Sequence, residues 1–148
     1  MSNKNKTVAI VPIKKNSKRV KHKNFKKIYG VPLYQIALNK LKKSNFDEIY
    51  VDSDSDKIKK FCIKNDIKFI DRKPSLASDK ANGNHLINYH KTIIDADYYF
   101  QILVTSPLLK IQTINKCIKF LKNTSNYDSI FTTKTEQTFF WYKKKPIN

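Results

Sequence analysis

The segment from residue 14 to residue 24 carries side chains that could hold a polyanion. It reads KKNSKRVKHKN and directly follows a short apolar run at residues 8 to 13. The segment contains no glycine, so it is neither a GxGxxG fingerprint nor a P-loop. Several cations at the end of a strand suit a triphosphate, whose charge needs several partners at once. The alternative is an exposed basic loop in a protein rich in lysine.

A second candidate is the pair of carboxylates, Asp52 and Asp54, at the end of the next apolar run. Two aspartates at this spacing could hold the divalent ion of a nucleotide-sugar, as in the D-x-D motif of metal-dependent glycosyltransferases. Asp54 could instead cap a helix that begins at Ser55, or take part in a nucleotide site. The sequence leaves these three interpretations open.

The histidines and cysteines do not indicate a further site. His22, His85 and His90 show no ligand spacing with a carboxylate partner, so we interpret them as surface or structural residues. Cys62 and Cys117 lack CxxC spacing, and each lies among apolar residues at helical spacing. We therefore expect two buried, reduced thiols.

The elements that must position these residues follow from the alternation of short apolar runs with helical patterns. We predict strands at residues 8–13, 48–53, 68–70, 98–104 and 129–133, with a further candidate at 139–142. Apolar positions at helical spacing predict helices after Pro32, around 58–62, at 84–95 and at 111–121, and residues 72–82 are predicted to be a loop. This order predicts a single α/β domain of three layers, with helices on both faces of a mostly parallel sheet. Ligands bind such sheets beyond the carboxyl ends of the strands, where the polar segments lie.

The net charge of +18 would suit a nucleic-acid-binding module. However, only Arg19 and Arg72 among the 30 basic residues are arginine, and the lysines are spread along the chain. Lysine, asparagine and isoleucine share A/T-rich codons, so a biased genome would produce this charge without selection for polyanion binding. The aromatic residues fall mostly in strand-like runs rather than between basic residues. Nucleic acid is therefore not expected as a partner, although the module stays an alternative.

Four segments together resemble the acylneuraminate cytidylyltransferases, which make CMP-sialic acid or CMP-3-deoxy-manno-octulosonate. Residues 12–24 are similar to the family signature A-R-x-x-S-K-R-x-x-x-K-N, with Lys14 in place of its arginine. Residues 51–54 (VDSD) resemble V-S-T-D, residues 72–79 (RKPSLASD) resemble R-P-x-x-L-A-x-D, and residues 104–108 (VTSPL) resemble P-T-S-P-L. Both arginines of the chain fall in these segments, although nearly every other cation is lysine. The planar guanidinium can bind phosphate through two hydrogen bonds at once, which explains why arginine is used there.

The resemblance implies transfer of CMP from CTP to an acidic 2-keto sugar with release of pyrophosphate. It also implies Mg²⁺ and the Rossmann-like fold of nucleotide-diphospho-sugar transferases. By this resemblance the nucleotide site comprises Lys14, Asn16, Ser17, Lys18, Arg19, Lys23, Asn24, Arg72, Ser78 and Asp79. Of these, Lys18, Lys23 and Arg72 would serve catalysis by positioning the triphosphate and neutralising its charge.

The sugar side would be lined by Leu103, Thr105 and Ser106. Leu103 stands where the family has glutamine and Leu109 where it has arginine, which counts against sialic acid itself as the substrate. Thr105 and Ser106 could instead cap the helix that follows Pro107.

In the family, the metal-binding carboxylates and most of the dimer-forming element lie beyond the position of Asn148. We therefore expect residues 1–148 to be the N-terminal part of a cytidylyltransferase domain that is a homodimer at full length. Alone it should turn over negligibly, and Asp54 is its candidate metal ligand. No apolar run approaches the roughly 18 residues of a membrane span, and no signal-peptide core follows Met1, so a cytoplasmic protein is expected.

Overall fold

The computed structural model describes residues 5–17, 20–78, 80–133, 135 and 141–147. The strands are β1 (Thr7–Ile13), β2 (Lys27–Ile28), β3 (Val31–Pro32), β4 (Glu48–Ser53), β5 (Lys68–Asp71), β6 (Tyr98–Gln101), β7 (Trp141–Tyr142) and β8 (Lys145–Pro146). The helices are α1 (Leu33–Leu41), α2 (Asp56–Lys64), α3 (Pro74–Ala77), α4 (Gly83–Ile93) and α5 (Ile111–Asn123), with a 3₁₀ turn at Lys23–Phe25.

The central sheet has four parallel strands in the order β5-β4-β1-β6. Its register sets Val11 of β1 beside Val51 of β4, and Ile10 beside Gln101 of β6. β1 therefore has a neighbour on each side, and Val8 to Val11 are fully buried. A parallel strand covered on both faces needs apolar side chains in both directions, so β1 is a continuous apolar run.

Successive side chains of β1 point into two different cores. Ala9, Val11 and Ile13 belong to the larger core, which α1, α2 and α5 cover. Val8 and Ile10 face the opposite side, where they pack with Ile94, at the end of α4. Helices on both faces of a parallel sheet confirm the predicted three-layer α/β class.

The hairpin formed by β2 and β3 links the basic segment to α1. Its two turn residues, Tyr29 and Gly30, have φ of 47° and 80°. Positive φ at both central residues is the geometry of a type I′ turn, which glycine adopts without steric cost. The main-chain amide of Leu33 donates to the carbonyl of Lys26 at 2.9 Å, which fixes the start of α1 against this hairpin.

Several predicted boundaries were wrong. β6 ends at Gln101 rather than 104, because the chain turns after Ile102 and Val104 is buried from a loop. Residues 129–133 form no strand, since they lie exposed and no neighbouring strand supplies hydrogen bonds within the described ranges. Within the candidate at 139–142, residues 141–142 form a strand paired with β8, and residues 139–140 lie outside the described residues. The predicted loop at 72–82 contains α3, which starts at Pro74.

Candidate functional site

A cleft of about 770 Å³ opens at the carboxyl ends of β1 and β6. The chain runs from β1 to β4 and β5 on one side of the sheet, then crosses to β6 on the other side of β1. Connections that leave neighbouring strands in opposite directions create a crevice, and open α/β sheets bind ligands there. The loops after β1 and β6 form facing walls, and the start of α4 closes a third side.

Most of the predicted site residues lie around this one cleft. Its lining includes Lys14, Asn16, Ser17, Lys23, Asn24, Arg72, Ser78, Leu103 and Thr105. Lys18, Arg19 and Asp79 lie outside the described residues. Ser106 is exposed and is not part of the lining; its amide donates to the carbonyl of Leu103 at 3.1 Å in the turn after β6. Residues predicted to bind nucleotide and residues predicted to bind sugar thus share one concave surface.

Two hydrogen bonds hold the basic segment in place. Asn24 is buried, and its side-chain amide donates to the carbonyl of Lys14 at 2.9 Å, which joins the two ends of the segment. The main-chain amide of Lys15 donates to Asp54 Oδ1 at 2.6 Å, which ties the segment to the end of β4. Lys14 and Lys23, both half-buried, are therefore presented from a fixed backbone rather than a free loop.

Arg72 reaches the cleft from a buried ion pair. Its Nε donates to Asp52 Oδ1 at 2.7 Å, and its Nη2 donates to the main-chain oxygen of Asp52 at 3.0 Å. His90 Nε2 lies 2.6 Å from the other carboxylate oxygen, Asp52 Oδ2. The side chains of Asp52 and His90 are fully buried, and that of Arg72 is only 3% exposed. The interpretation that His90 has no carboxylate partner was wrong, because Asp52, 38 residues away in sequence, lies against it.

This arrangement removes Asp52 from the set of metal ligands. Both of its carboxylate oxygens have partners, and neither faces solvent. Asp54 is separate from it, since Asp54 accepts the amide of Lys15. In the part of the chain that the structure describes, no three His, Cys, Asp or Glu residues could hold a metal ion together. Because its carboxylate is already paired with Arg72 and His90, Asp52 does not support the D-x-D alternative.

The structure contradicts the two helix-cap alternatives that the sequence left open. Ser55, not Asp54, is the N-cap of α2, because Asp54 is turned toward the basic segment. Thr105 and Ser106 do not cap α5, which begins only at Ile111 with Lys110 as N-cap. The cap with full side-chain geometry is at α4, where Asn82 Oδ1 accepts from the amide of His85 and His85 Nδ1 accepts from the amide of Asn82.

Sequence reasoning missed the start of α4 and the end of β6 as parts of the site. Gln101, the last residue of β6, lines the cleft next to Gly83. A Cβ on Gly83 would lie 3.1 Å from Gln101 Oε1, so glycine permits the close approach of α4 to β6. One of only two glycines, directly after Asn82, was the available signal.

A lysine on α1 contacts the turn that follows β6. Lys40 Nζ donates to the main-chain oxygen of Pro107, in the Thr-Ser-Pro turn. Burial lowers the pKa of the Lys40 ammonium group from its ordinary value. The turn that carries Thr105 is therefore held by a contact from α1, which covers the larger core.

The two cysteines are free thiols, and Cys62 is fully buried as predicted, whereas Cys117 is only half-buried. Among the helices in the described ranges, none is long and apolar enough to cross a membrane.

Comparison with known proteins places this cleft in a family. A profile of the cytidylyltransferase family matches residues 8–141. The chain is 25% identical to an N-acylneuraminate cytidylyltransferase of Streptococcus agalactiae, over 90% of this chain and 36% of that protein. It is 28% identical to a pseudaminic acid cytidylyltransferase of Campylobacter jejuni, over 82% of this chain and 56% of that protein.

Solved structures share the fold. A CMP:2-keto-3-deoxy-manno-octonic acid synthetase complexed with CTP gives a TM-score of 0.68 at 17% identity, covering 82% of this chain and 49% of that one. The bifunctional IspDF of Campylobacter jejuni gives 0.71 at 19% identity, covering 97% of this chain and 37% of that one. The chain spans between 36% and 56% of the length of these four proteins. Because the family profile extends over most of the sequence, the chain belongs to the cytidylyltransferase family.

Proposed function

We propose that this protein transfers CMP from CTP to an acidic 2-keto sugar of the sialic acid or octulosonate type, and releases pyrophosphate. The observation that carries the proposal is the cleft between the loops after β1 and β6, which brings Lys14, Lys23 and Arg72 together with Leu103 and Thr105. The names of the relatives, which act on N-acylneuraminate and pseudaminic acid, support this substrate class.

In the proposed reaction the anomeric hydroxyl of the sugar attacks the α-phosphorus of CTP in line. The bond from the α-phosphorus to the bridging oxygen breaks, pyrophosphate leaves with that electron pair, and the proton of the attacking hydroxyl is released to water. Lys14 and Lys23 neutralise triphosphate charge from the fixed backbone of the basic segment, and Arg72 adds a planar cation beside them. Catalysis then consists mainly of positioning and charge stabilisation.

The sugar side of the cleft favours a substrate other than sialic acid itself. Leu103 is 51% exposed there and offers no hydrogen bond at the position where the family pattern has glutamine. A polar sugar substituent at that point would lose water without gaining a partner. A less polar acidic ketose therefore fits the cleft better.

Magnesium, a homodimer and a cytoplasmic location remain parts of the proposal. The steps above are written with the cations of the chain alone. The homodimer is proposed from the family resemblance, and this chain spans 36% and 56% of the two curated relatives.

Isothermal titration of the purified chain with CTP and with ATP tests the nucleotide assignment. We expect CTP to bind at least about tenfold more tightly than ATP, a difference of about 1.4 kcal/mol. Equal heats for both nucleotides, or none for either, would contradict the proposal. A pyrophosphate-release assay with CTP, Mg²⁺ and a panel of nonulosonic and octulosonic acids then identifies the sugar, using a chain extended to the full family length.

A further inference from the structure

A buried relay of three side chains links the cleft to α4, and we call it the Asp52 relay. Asp52 lies at the carboxyl end of β4, Arg72 directly follows β5, and His90 lies on α4. The main-chain amide of Arg72 donates to the carbonyl of Ser53 at 3.0 Å, which places Arg72 at the edge of the sheet. Although its side chain is only 3% exposed, Arg72 lines the cleft.

Asp52 fixes the orientation of the Arg72 guanidinium. A guanidinium is planar and carries five N–H donors in a fixed arrangement. Asp52 engages two of its nitrogens, Nε through the carboxylate at 2.7 Å and Nη2 through the main-chain oxygen at 3.0 Å. Two anchored nitrogens determine the whole plane, and with it the direction of the remaining donors.

His90 in turn fixes the Asp52 carboxylate. Oδ2 of Asp52 lies 2.6 Å from His90 Nε2. A carboxylate oxygen accepts, so the imidazole donates from Nε2, and this assigns the tautomer. His90 Nδ1 is buried and has no hydrogen-bond partner among the described residues, so Nε2 is the nitrogen through which His90 acts.

Stability alone does not account for this relay. Apolar side chains of similar volume often replace a buried ion pair without loss of stability. Moreover, Asp52 stands where the V-S-T-D pattern, which residues 51–54 resemble, has serine. A carboxylate that is fully buried, doubly paired and attached to a cleft arginine indicates a role in orienting that arginine.

We propose that Asp52 and His90 are positioning residues that hold the Arg72 guanidinium toward the phosphates of the nucleotide. The inference rests on the proposed function for its ligand, and on the hydrogen bonds of the relay for its mechanism. His90 acts through Asp52 and Arg72 and does not itself touch the substrate.

The first test is spectroscopic and needs no nucleotide. Because the chain has only two arginines, a ¹⁵N-labelled sample gives at most two side-chain Nε–H signals. The Arg72 signal is the one that is absent from an Arg72→Lys variant. The matched variants are His90→Gln, whose amide nitrogen reaches the Nε2 position, and His90→Asn, whose amide reaches only the Nδ1 position.

We expect exchange of the Arg72 Nε–H with water to be at least about tenfold faster in His90→Asn than in the wild-type chain, because the carboxylate is then held at one oxygen only. His90→Gln should restore slow exchange. Wild-type exchange in both variants would overturn the relay. A folded His90→Gln variant with fast exchange would overturn Nε2 as the acting nitrogen, even if His90→Asn does not fold.

The second test is a double-mutant cycle on CTP affinity, measured by titration well below the unfolding transition. His90→Asn should weaken CTP binding about tenfold, His90→Gln should leave it nearly unchanged, and His90→Asn should have no further effect in the Arg72→Lys background. If the losses of CTP affinity of the two single variants multiplied in the double variant, His90 would not act through Arg72. Absence of CTP binding by the wild-type chain would overturn the proposed function, while the exchange rates would still decide whether His90 holds Arg72.

Discussion

The two aspartates that flank Ser53 should respond very differently to replacement by asparagine. Asp52 is fully buried, and its carboxylate is the counter-charge of Arg72, which is itself only 3% exposed. Asp54 is half-buried, and its carboxylate accepts one main-chain amide, that of Lys15. The substitutions Asp52→Asn and Asp54→Asn change the same atoms two residues apart, so each serves as the control for the other.

The size of the difference follows from the contacts. Asp52→Asn leaves a buried guanidinium without its counter-charge, and breaking a buried pair in this way costs about 3–5 kcal/mol. Asp54→Asn weakens one hydrogen bond at the surface, worth about 0.5–1.5 kcal/mol. Native domains are stable by only about 5–15 kcal/mol in total, so the first loss is a large fraction of the whole.

Urea denaturation followed by circular dichroism at pH 7 measures both variants. With a slope near 2 kcal/mol per molar urea, about the middle of the usual range, Asp52→Asn should lower the midpoint by roughly 1.5–2.5 M. Asp54→Asn should lower it by less than about 0.8 M. Equal shifts in the two variants, or an Asp52→Asn midpoint close to the wild type, would refute the buried pairing of Asp52 with Arg72.

Three further outcomes are expected. Lys23→Ala should weaken CTP binding by about 1–3 kcal/mol in a titration, because Lys23 lines the cleft. The control variant Lys42→Ala, at the exposed end of α1, should not weaken it. Equal losses in both variants would indicate that CTP is attracted by the overall positive charge rather than by a defined site. Hydrogen bonds from Lys68 and then Tyr50 lower the pKa of Glu48 to about 2, so its stabilisation is present above the unfolded value near 4.5 and is lost as the pH falls toward 2. In urea titrations Glu48→Gln should therefore cost about 1 kcal/mol at pH 7, after allowance for solvent screening, and nothing near pH 2; the same cost at both pH values would contradict this. Burial raises the pKa of the Cys62 thiol to about 11. A thiol reagent at neutral pH should therefore label Cys117 first and Cys62 only on unfolding. If a folded Cys117→Ser variant were labelled as fast as the wild-type chain, the burial of Cys62 would be contradicted.

The pH dependence of Cys62 runs in the opposite direction to that of Glu48. The folded thiol holds its proton up to about pH 11, whereas the unfolded thiol releases it near its ordinary value of 9. The unfolded state is therefore favoured progressively between these two values, and stability should fall by up to about 2–3 kcal/mol across that range. A Cys62→Ala variant should lack this part of the alkaline loss.

The sequence by itself determined the positions of β1, β4 and β5 to within a residue, and the family resemblance named most of the residues that line the cleft. Residues 8–13 are apolar because an interior parallel strand is covered on both faces. In residues 48–53 the apolar part is Ile49 to Val51, and polar residues stand at both ends. The polar segments after them fall at the same edge of the sheet because parallel strands all end there, whatever their order. This is why Lys14, Lys23 and Thr105, separated by up to 91 positions, could be predicted to share one site.

Only the tertiary structure decided how those residues are held. Asp52 lies on β4, and its partners are the residue after β5 and a residue of α4, at separations of 20 and 38 residues. No local pattern encodes which buried side chains will meet. Tertiary structure also decided where β6 ends and that residues 129–133 form no strand. Residues that favour β-structure form a strand only if a neighbouring strand supplies hydrogen bonds. The composition of a segment determines how much of it can be buried, whereas long-range packing determines which charged side chains meet. The orientation of Arg72 in the cleft therefore depends on long-range packing.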